Sequence, residues 1–211
     1  IFNTEGDYIE VLAEEIEYSK NKGRLSHLLI KKDSLKLVAI TPILELDTHL
    51  SFPAYIRKNN KTYVYPENYI SGGIKIYEYD HLNKKLVNPK EILSEELVDA
   101  QLLELNGNYY LMGVKHEDDK FTYNYTKDLY IYKSDGLFGE YFFYQKISNT
   151  RKEERGAGHL FMVGDKLIRP AQNCDGGYGV EVVFYEFTQG EDGYFKEGEV
   201  GRMSPGHNKY P

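Results

Sequence analysis

The stretch LVDAQLLELNGNYYLMGVK, Leu97 to Lys115, sets the reading of the chain. Two alternating apolar runs, Ala100 to Leu105 and Tyr109 to Val114, flank Asn106-Gly107. Both central residues of a two-residue hairpin loop need positive φ, which asparagine and glycine tolerate, so the segment predicts an antiparallel hairpin. Most of the 20 tyrosines and 10 phenylalanines lie in similar short runs, punctuated by Gly, Asn and Asp. That is the composition of strands. Only two stretches have a helical look. Val11 to Tyr18 reads as a strand running into a loop, and Pro89 to Glu96 as a short surface turn.

Working outward from the hairpin, a three-part phrase recurs about every fifty residues. Its first part is a hairpin with a polar turn: IFNTEGDYIEVL from Ile1, AYIRKNNKTYVY from Ala54, QLLELNGNYYLM from Gln101 and HLFMVGDKLIRP from His159. Its second is an alternating strand: SHLLIKKD from Ser26, IKIYEYD from Ile74, LYIYKSD from Leu129 and EVVFYEF from Glu181. Its third is a more polar strand: LKLVAITPIL, KKLVNPKEIL, YFFYQKIS and YFKEGEVG. Four copies of a four-stranded antiparallel unit are expected, the signature of a β-propeller whose sheets bury their faces against one another. An ordinary β-sandwich is the competing architecture, because periodicity alone does not fix how the sheets close.

Composition narrows the function classes. The chain has 211 residues, 41% hydrophobic and 28% charged, enough to bury a substantial core. A formal net charge of -7 argues against the broad basic face that nucleic acid or an anionic membrane surface favours. No apolar run is long enough to span a bilayer. The one cysteine, Cys174, cannot form an internal disulfide, so cytoplasmic and periplasmic or secreted locations both fit. No Cys/His cluster has zinc spacing, and CDGGYG, from Cys174, precedes a strand, so no helix N-terminus is available to cradle phosphate.

Four segments carry a resemblance: HLSFPAYIRKNNKTYVYPE (His49 to Glu67), VDAQLLELNGNYYLM (Val98 to Met112), LYIYKSDGLFGEY (Leu129 to Tyr141) and GHLFMVGDKLIRPAQNCDGGYG (Gly158 to Gly179). They resemble the five-bladed propellers related to family 43 glycoside hydrolases, in the branch that includes the N-terminal propeller of plant glucosamine inositolphosphorylceramide transferases. SDGLFGEY and RPAQNCDGGYG are the phrases most specific to that branch. The resemblance implies an all-β, five-bladed propeller with four repeat units visible and the closing blade incomplete. It further implies one domain over residues 1–211, a carbohydrate ligand in the central channel, and no required cofactor. Calcium, held in some family members through a channel histidine, would have only His207 to support it.

Glycoside hydrolysis needs one carboxylic acid for the leaving oxygen and one carboxylate for water or the sugar. By resemblance Asp99 matches the position of the family's pKa-modulating acid. The base position would fall before Ile1, and the acid position falls on Gly156, two residues from Glu154. Glu67, in YPEN, is the second candidate catalytic carboxyl; His49, Arg169, Gln172 and Asp175 are the candidate substrate-binding residues. Each has a plainer reading as well: Asp99 as a turn cap, Glu67 as a solvated loop carboxylate, His49 as a ring packed on tyrosines, and Arg169 and Gln172 as a brace between blades. Aligning Leu167–Pro170 with Tyr63–Pro66 places Gln172 after Pro170 much as Glu67 follows Pro66. The expected function is glycoside hydrolase-like action on a glycan; the alternative is a non-catalytic glycan-binding or glycosyltransferase-accessory propeller.

Overall fold

The structure is a computed structural model that describes residues 2–4, 6–68, 72–115, 128–148, 155–174 and 179–204. Among the described residues there are strands and turns and no helix, arranged as four antiparallel sheets. The first sheet holds β1 (Tyr8–Glu17), β2 (Lys22–Lys31) and β3 (Leu37–Leu44). The second holds β4 (Ser51–Lys58), β5 (Lys61–Glu67), β6 (Ile74–Asp80) and β7 (Lys85–Leu93). The third holds β8 (Val98–Leu105), β9 (Asn108–Val114), β10 (Asp128–Ser134) and β11 (Phe142–Ser148). The fourth holds β12 (Phe161–Val163), β13 (Lys166–Asn173), β14 (Glu181–Gln189) and β15 (Phe195–Met203). Within each sheet, strands that follow one another in sequence are neighbours.

The hairpin of Leu97–Lys115 forms as its sequence predicts. Leu105 pairs with Asn108, and Asn106 and Gly107 take φ of 51° and 75°. Two expectations change. The first unit was expected to have four strands; its opening hairpin is reduced to a bridge between Asn3 and Glu10 across a turn at Gly6, leaving a three-stranded sheet. Pro89, read locally as the start of a turn but placed by the repeat in the strand KKLVNPKEIL, lies inside β7, as the repeat reading has it. An outer strand can tolerate a residue that donates no ladder hydrogen bond, and β7 is the outer strand of its sheet.

Chain contacts divide the molecule into two compact units, Ile1–Glu96 and Leu97–Pro211. In the first unit, Leu12 and Leu25 of the first sheet share a core with Val64, Tyr77 and Tyr79 of the second. In the second unit, Tyr110, Met112, Leu129 and Ile131 of the third sheet pack against Phe187 and Phe195 of the fourth. The Phe187 and Phe195 rings stack at 4.7 Å, and Tyr110 meets Phe195 edge-on at 4.8 Å. Each such aromatic withdraws enough apolar area to contribute about 2–3 kcal/mol. Gln145 ties the same two sheets: its amide donates to Phe195 O and accepts from Phe195 N, both at 2.7 Å. Burial falls from inner to outer strands. β9 is buried along nearly its whole length, whereas β11 and β15 are largely exposed.

Candidate functional site

Asp99 lies where β8 begins, at a break in its pairing between Val98 and Gln101. Its φ of 49° is left-handed, a conformation that aspartate accepts more readily than most residues. The side chain is buried, with the residue 3% exposed. Its Oδ2 accepts from Arg155 Nε at 2.7 Å and from Gln172 Nε2 at 2.9 Å. The Gln172 amide also donates to Gly156 O at 2.6 Å. These contacts join the start of the third sheet to the fourth, because residues 155–157 run beside β13: Gln172 N donates to Arg155 O, and Ala157 N to Pro170 O. Buried Gln101 adds a further tie through its amide, which donates to Gly158 O and Pro170 O.

Gly156 closes this arrangement sterically. A Cβ built there would stand 2.6 Å from the Asp99 carbonyl oxygen and 3.0 Å from Gln101 Cδ. Backbone cannot yield as the end of a long side chain can, so the position has no room for a carboxylic acid. This is the position at which the resemblance places the family's acid. The absence of a glutamate there follows from the packing around Asp99.

The structure sorts the remaining candidates. Gln172 joins Asp99, as described. Arg169 requires correction as a ligand donor. It is fully buried, forms a two-point ion pair with Glu197 on β15, and lies 5.5 Å from the Tyr185 ring centroid. A guanidinium so enclosed holds β13, β14 and β15 together and presents nothing to a solvent-borne ligand. His49 is also occupied. Its Nδ1 accepts from Gly23 N at 3.0 Å and its Nε2 faces Glu14 at 3.2 Å, so the ring links the loop before β4 to β1 and β2. A side chain at Gly23 would collide with the Leu50 carbonyl and the His49 ring.

Glu67 ends β5 opposite Ser51 and is 8% exposed, which replaces the solvated-loop alternative with a buried carboxylate. It belongs to the first unit and Asp99 to the second. Asp175 and His207 lie outside the described residues, as does Glu154. Counted from the hairpin turn, Glu67, Val114 and Gln172 occupy the same place on β5, β9 and β13. The correspondence of Gln172 with Glu67 therefore holds, while Pro170 matches Tyr65 and not Pro66.

Sequence reading missed Arg155, Gln101 and Glu197. Arg155 carried the better signal, a charge adjoining the glycine at the expected acid position. Next to Gln172, Asn173 donates to Glu181 at 3.1 Å. Hydrogen bonds from Ser204, Asn173 and Arg202 hold the Glu181 carboxyl down at about 2. Among the described residues no group of three His, Cys, Asp or Glu side chains is placed to hold a metal ion. Among the described residues no helix long and apolar enough to cross a membrane is present, which says nothing of a β-barrel.

The arrangement of sheets defines the class: the chain has the β-propeller fold of family 43 glycoside hydrolases. It is similar to the α-L-arabinanase of Cellvibrio cellulosa solved with arabinohexaose, at 11% identity and a TM-score of 0.69 over 93% of this chain and 75% of that one. It is also similar to the GH43_1 enzyme of Xanthomonas citri, at 10% identity and a TM-score of 0.66 over 92% and 70%. Identities this low establish the fold alone. The family model for the N-terminal part of glucosamine inositolphosphorylceramide transferase 1 matches residues 29–209, and the chain belongs to that family. Among its relatives, the Oryza sativa subsp. japonica transferase is 24% identical over 156 residues, 71% of this chain and 20% of that protein. The Arabidopsis thaliana transferase is 28% identical over 138 residues, 64% and 18%. The chain thus spans about a fifth of the length of these relatives.

Proposed function

We propose that this chain is a carbohydrate-binding propeller that acts as an accessory to glycosyl transfer, with the Asp99, Arg155 and Gln172 cluster at its ligand-facing edge and residues 1–211 forming part of one propeller domain. The observation that carries the reading is the closure around Asp99. Its carboxylate is engaged by a guanidinium and an amide, and the neighbouring Gly156 leaves no space for a proton-donating acid. Arg155 and Gln172 are only partly buried, so the edge of the cluster is within reach of sugar hydroxyls, to which the Gln172 side-chain carbonyl oxygen can serve as acceptor. Membership in a transferase family supports a role beside a transferring module.

Hydrolysis is the competing reading, supported by the likeness to family 43 enzymes and by the resemblance that matches Asp99 to the modulator position. A glycan array probed with the full chain, followed by product analysis on any glycan bound, separates the two. Saturable binding without release of reducing sugar, weakened by Asp99→Asn, is the expected result. Turnover abolished by Asp99→Asn would replace the accessory reading with hydrolysis, and an array with no bound glycan would remove both.

A further inference from the structure

The third sheet has a second built feature, at the end remote from Asp99. β8 starts beside Asp99 and finishes at the Asn106-Gly107 turn, and the loop from β10 to β11 lies at this same far end, where Ser134 pairs with Tyr109. A groove of about 500 Å³ opens there, lined by Asn108, Lys133, Asp135, Glu140, Phe142 and Phe143 among others. The loop contains the SDGLFGEY phrase, one of the two most distinctive in the chain.

Half of that phrase is anchor. Ser134, Leu137 and Tyr141 are 3%, 2% and 6% exposed. Ser134 Oγ donates to Gly136 O at 2.9 Å, Gly139 N donates to the same carbonyl at 2.9 Å, and Tyr141 Oη donates to Leu137 O at 3.3 Å. A side chain at Gly139 would collide with Ser134 Oγ. The other half faces outward. Asp135 and Glu140 are exposed, and among the described residues neither forms an ion pair. Phe138, Phe142 and Phe143 are 37%, 61% and 58% exposed. Folding gains little from aromatics left in water, so three of them around a fixed loop mark a recognition surface.

We infer that this groove is a saccharide-binding site for neutral or amino sugars. A sugar ring offers an apolar face that stacks on an aromatic ring and hydroxyls that carboxylates and amides engage in pairs. Phe142, cross-strand from Lys133, supplies the first, and Asp135, Glu140 and Asn108 the second. The cation of the site is already committed: Lys133 Nζ lies 5.3 Å from the Tyr144 ring centroid and 5.8 Å from that of Tyr110. Lys133 keeps its charge, but the two outward carboxylates outnumber it and leave the groove net negative. They repel acidic sugars and attract a sugar ammonium. The anchored loop is in place before the ligand arrives, which lowers the ordering cost of binding. The site rests on the glycan-handling role proposed above only for its ligand class; it stands at the other end of the sheet from Asp99.

The test is an array of neutral, amino and acidic oligosaccharides, probed with the full chain, with Phe142→Ser combined with Phe143→Ser, with Asp135→Asn combined with Glu140→Gln, and with Asp99→Asn. Both groove variants change exposed side chains, and their thermal midpoints are checked against the parent chain. The expected result is a loss of roughly tenfold or more in affinity for neutral or amino oligosaccharides in both groove variants. Loss caused by Asp99→Asn but not by the groove changes would overturn this site and leave the proposed function standing. Binding confined to acidic sugars, no binding at all, or aromatic changes that abolish only capture of a protein partner would each overturn it.

Discussion

In the second sheet Phe52 stands at a φ of 41°, and in the third Asp99 stands at a φ of 49°, both at the same distance from the hairpin turn that follows. Around each, the strand pairing slips: between Ser51 and Ala54 in one, between Val98 and Gln101 in the other. The residue across from the slip differs in kind. Glu67 faces Ser51, and Val114 faces Val98. One sheet thus has an aromatic at the bulge and a carboxylate on the partner strand; the other has a carboxylate at the bulge and an aliphatic on the partner strand. Repetition supplies a common backbone with a distorted first strand, and the side chain placed on the distortion decides whether the site is apolar or charged. Aspartate accepts left-handed φ at lower cost than phenylalanine does, so the bulge of the third sheet is the more relaxed of the two.

The largest effect that would test this contrast comes from giving both bulges an aliphatic side chain. Asp99→Leu removes the acceptor that the Arg155 guanidinium and the Gln172 amide share and lowers stability by about 3 kcal/mol. Phe52→Leu removes apolar contact and is expected to cost about 1 kcal/mol. Denaturant unfolding of the two variants measures both, and equal losses would erase the distinction. Next in size is Gly156→Ala, whose Cβ presses on the Asp99 carbonyl. It should cost about 2 kcal/mol by overpacking and loosen the Asp99–Arg155 pair, seen as faster amide hydrogen exchange at residues 155–157. No change in either would show that the glycine is not what closes the site.

The smallest effect concerns Glu181, beside the same edge of the fourth sheet. Its carboxyl is held at about 2 in the folded chain, below the ordinary 4.5. Its contribution is therefore fully present above the ordinary value and is lost as pH falls from 4.5 toward 2. In Glu181→Gln, thermal midpoints followed through that range should fall less steeply than in the parent chain. An identical slope would mean that Ser204, Asn173 and Arg202 do not favour its charged form.

Much of the fold was legible because strands announce themselves locally. Alternation and Asn106-Gly107 marked β8 and β9, and the recurrence of that phrase marked the other sheets. Asn3 misled because a turn at Gly6 looks the same whether a full strand or one bridge precedes it. Pro89 misled because sequence does not say which strand of a sheet is outermost. The candidate site was legible in part. Asp99 and Gln172, which the structure joins by a hydrogen bond, were singled out, but their partner Arg155 lies 56 residues from Asp99, a separation across which no local pattern operates. Arg169 looked available because a charged residue in a polar phrase normally faces water; its partner Glu197 is 28 residues further on.

By itself the sequence determined the strand content, the repeat and the hairpin turns, since each depends on neighbouring residues and on the backbone angles they tolerate. Tertiary structure decided which charges are buried and which are exposed. It paired Arg169 with Glu197, directed Arg155 and Gln172 to Asp99, and filled the space beside Gly156. Those outcomes depend on distances between strands and between sheets, and burial of a charge is tolerable only where another strand or sheet brings its partner.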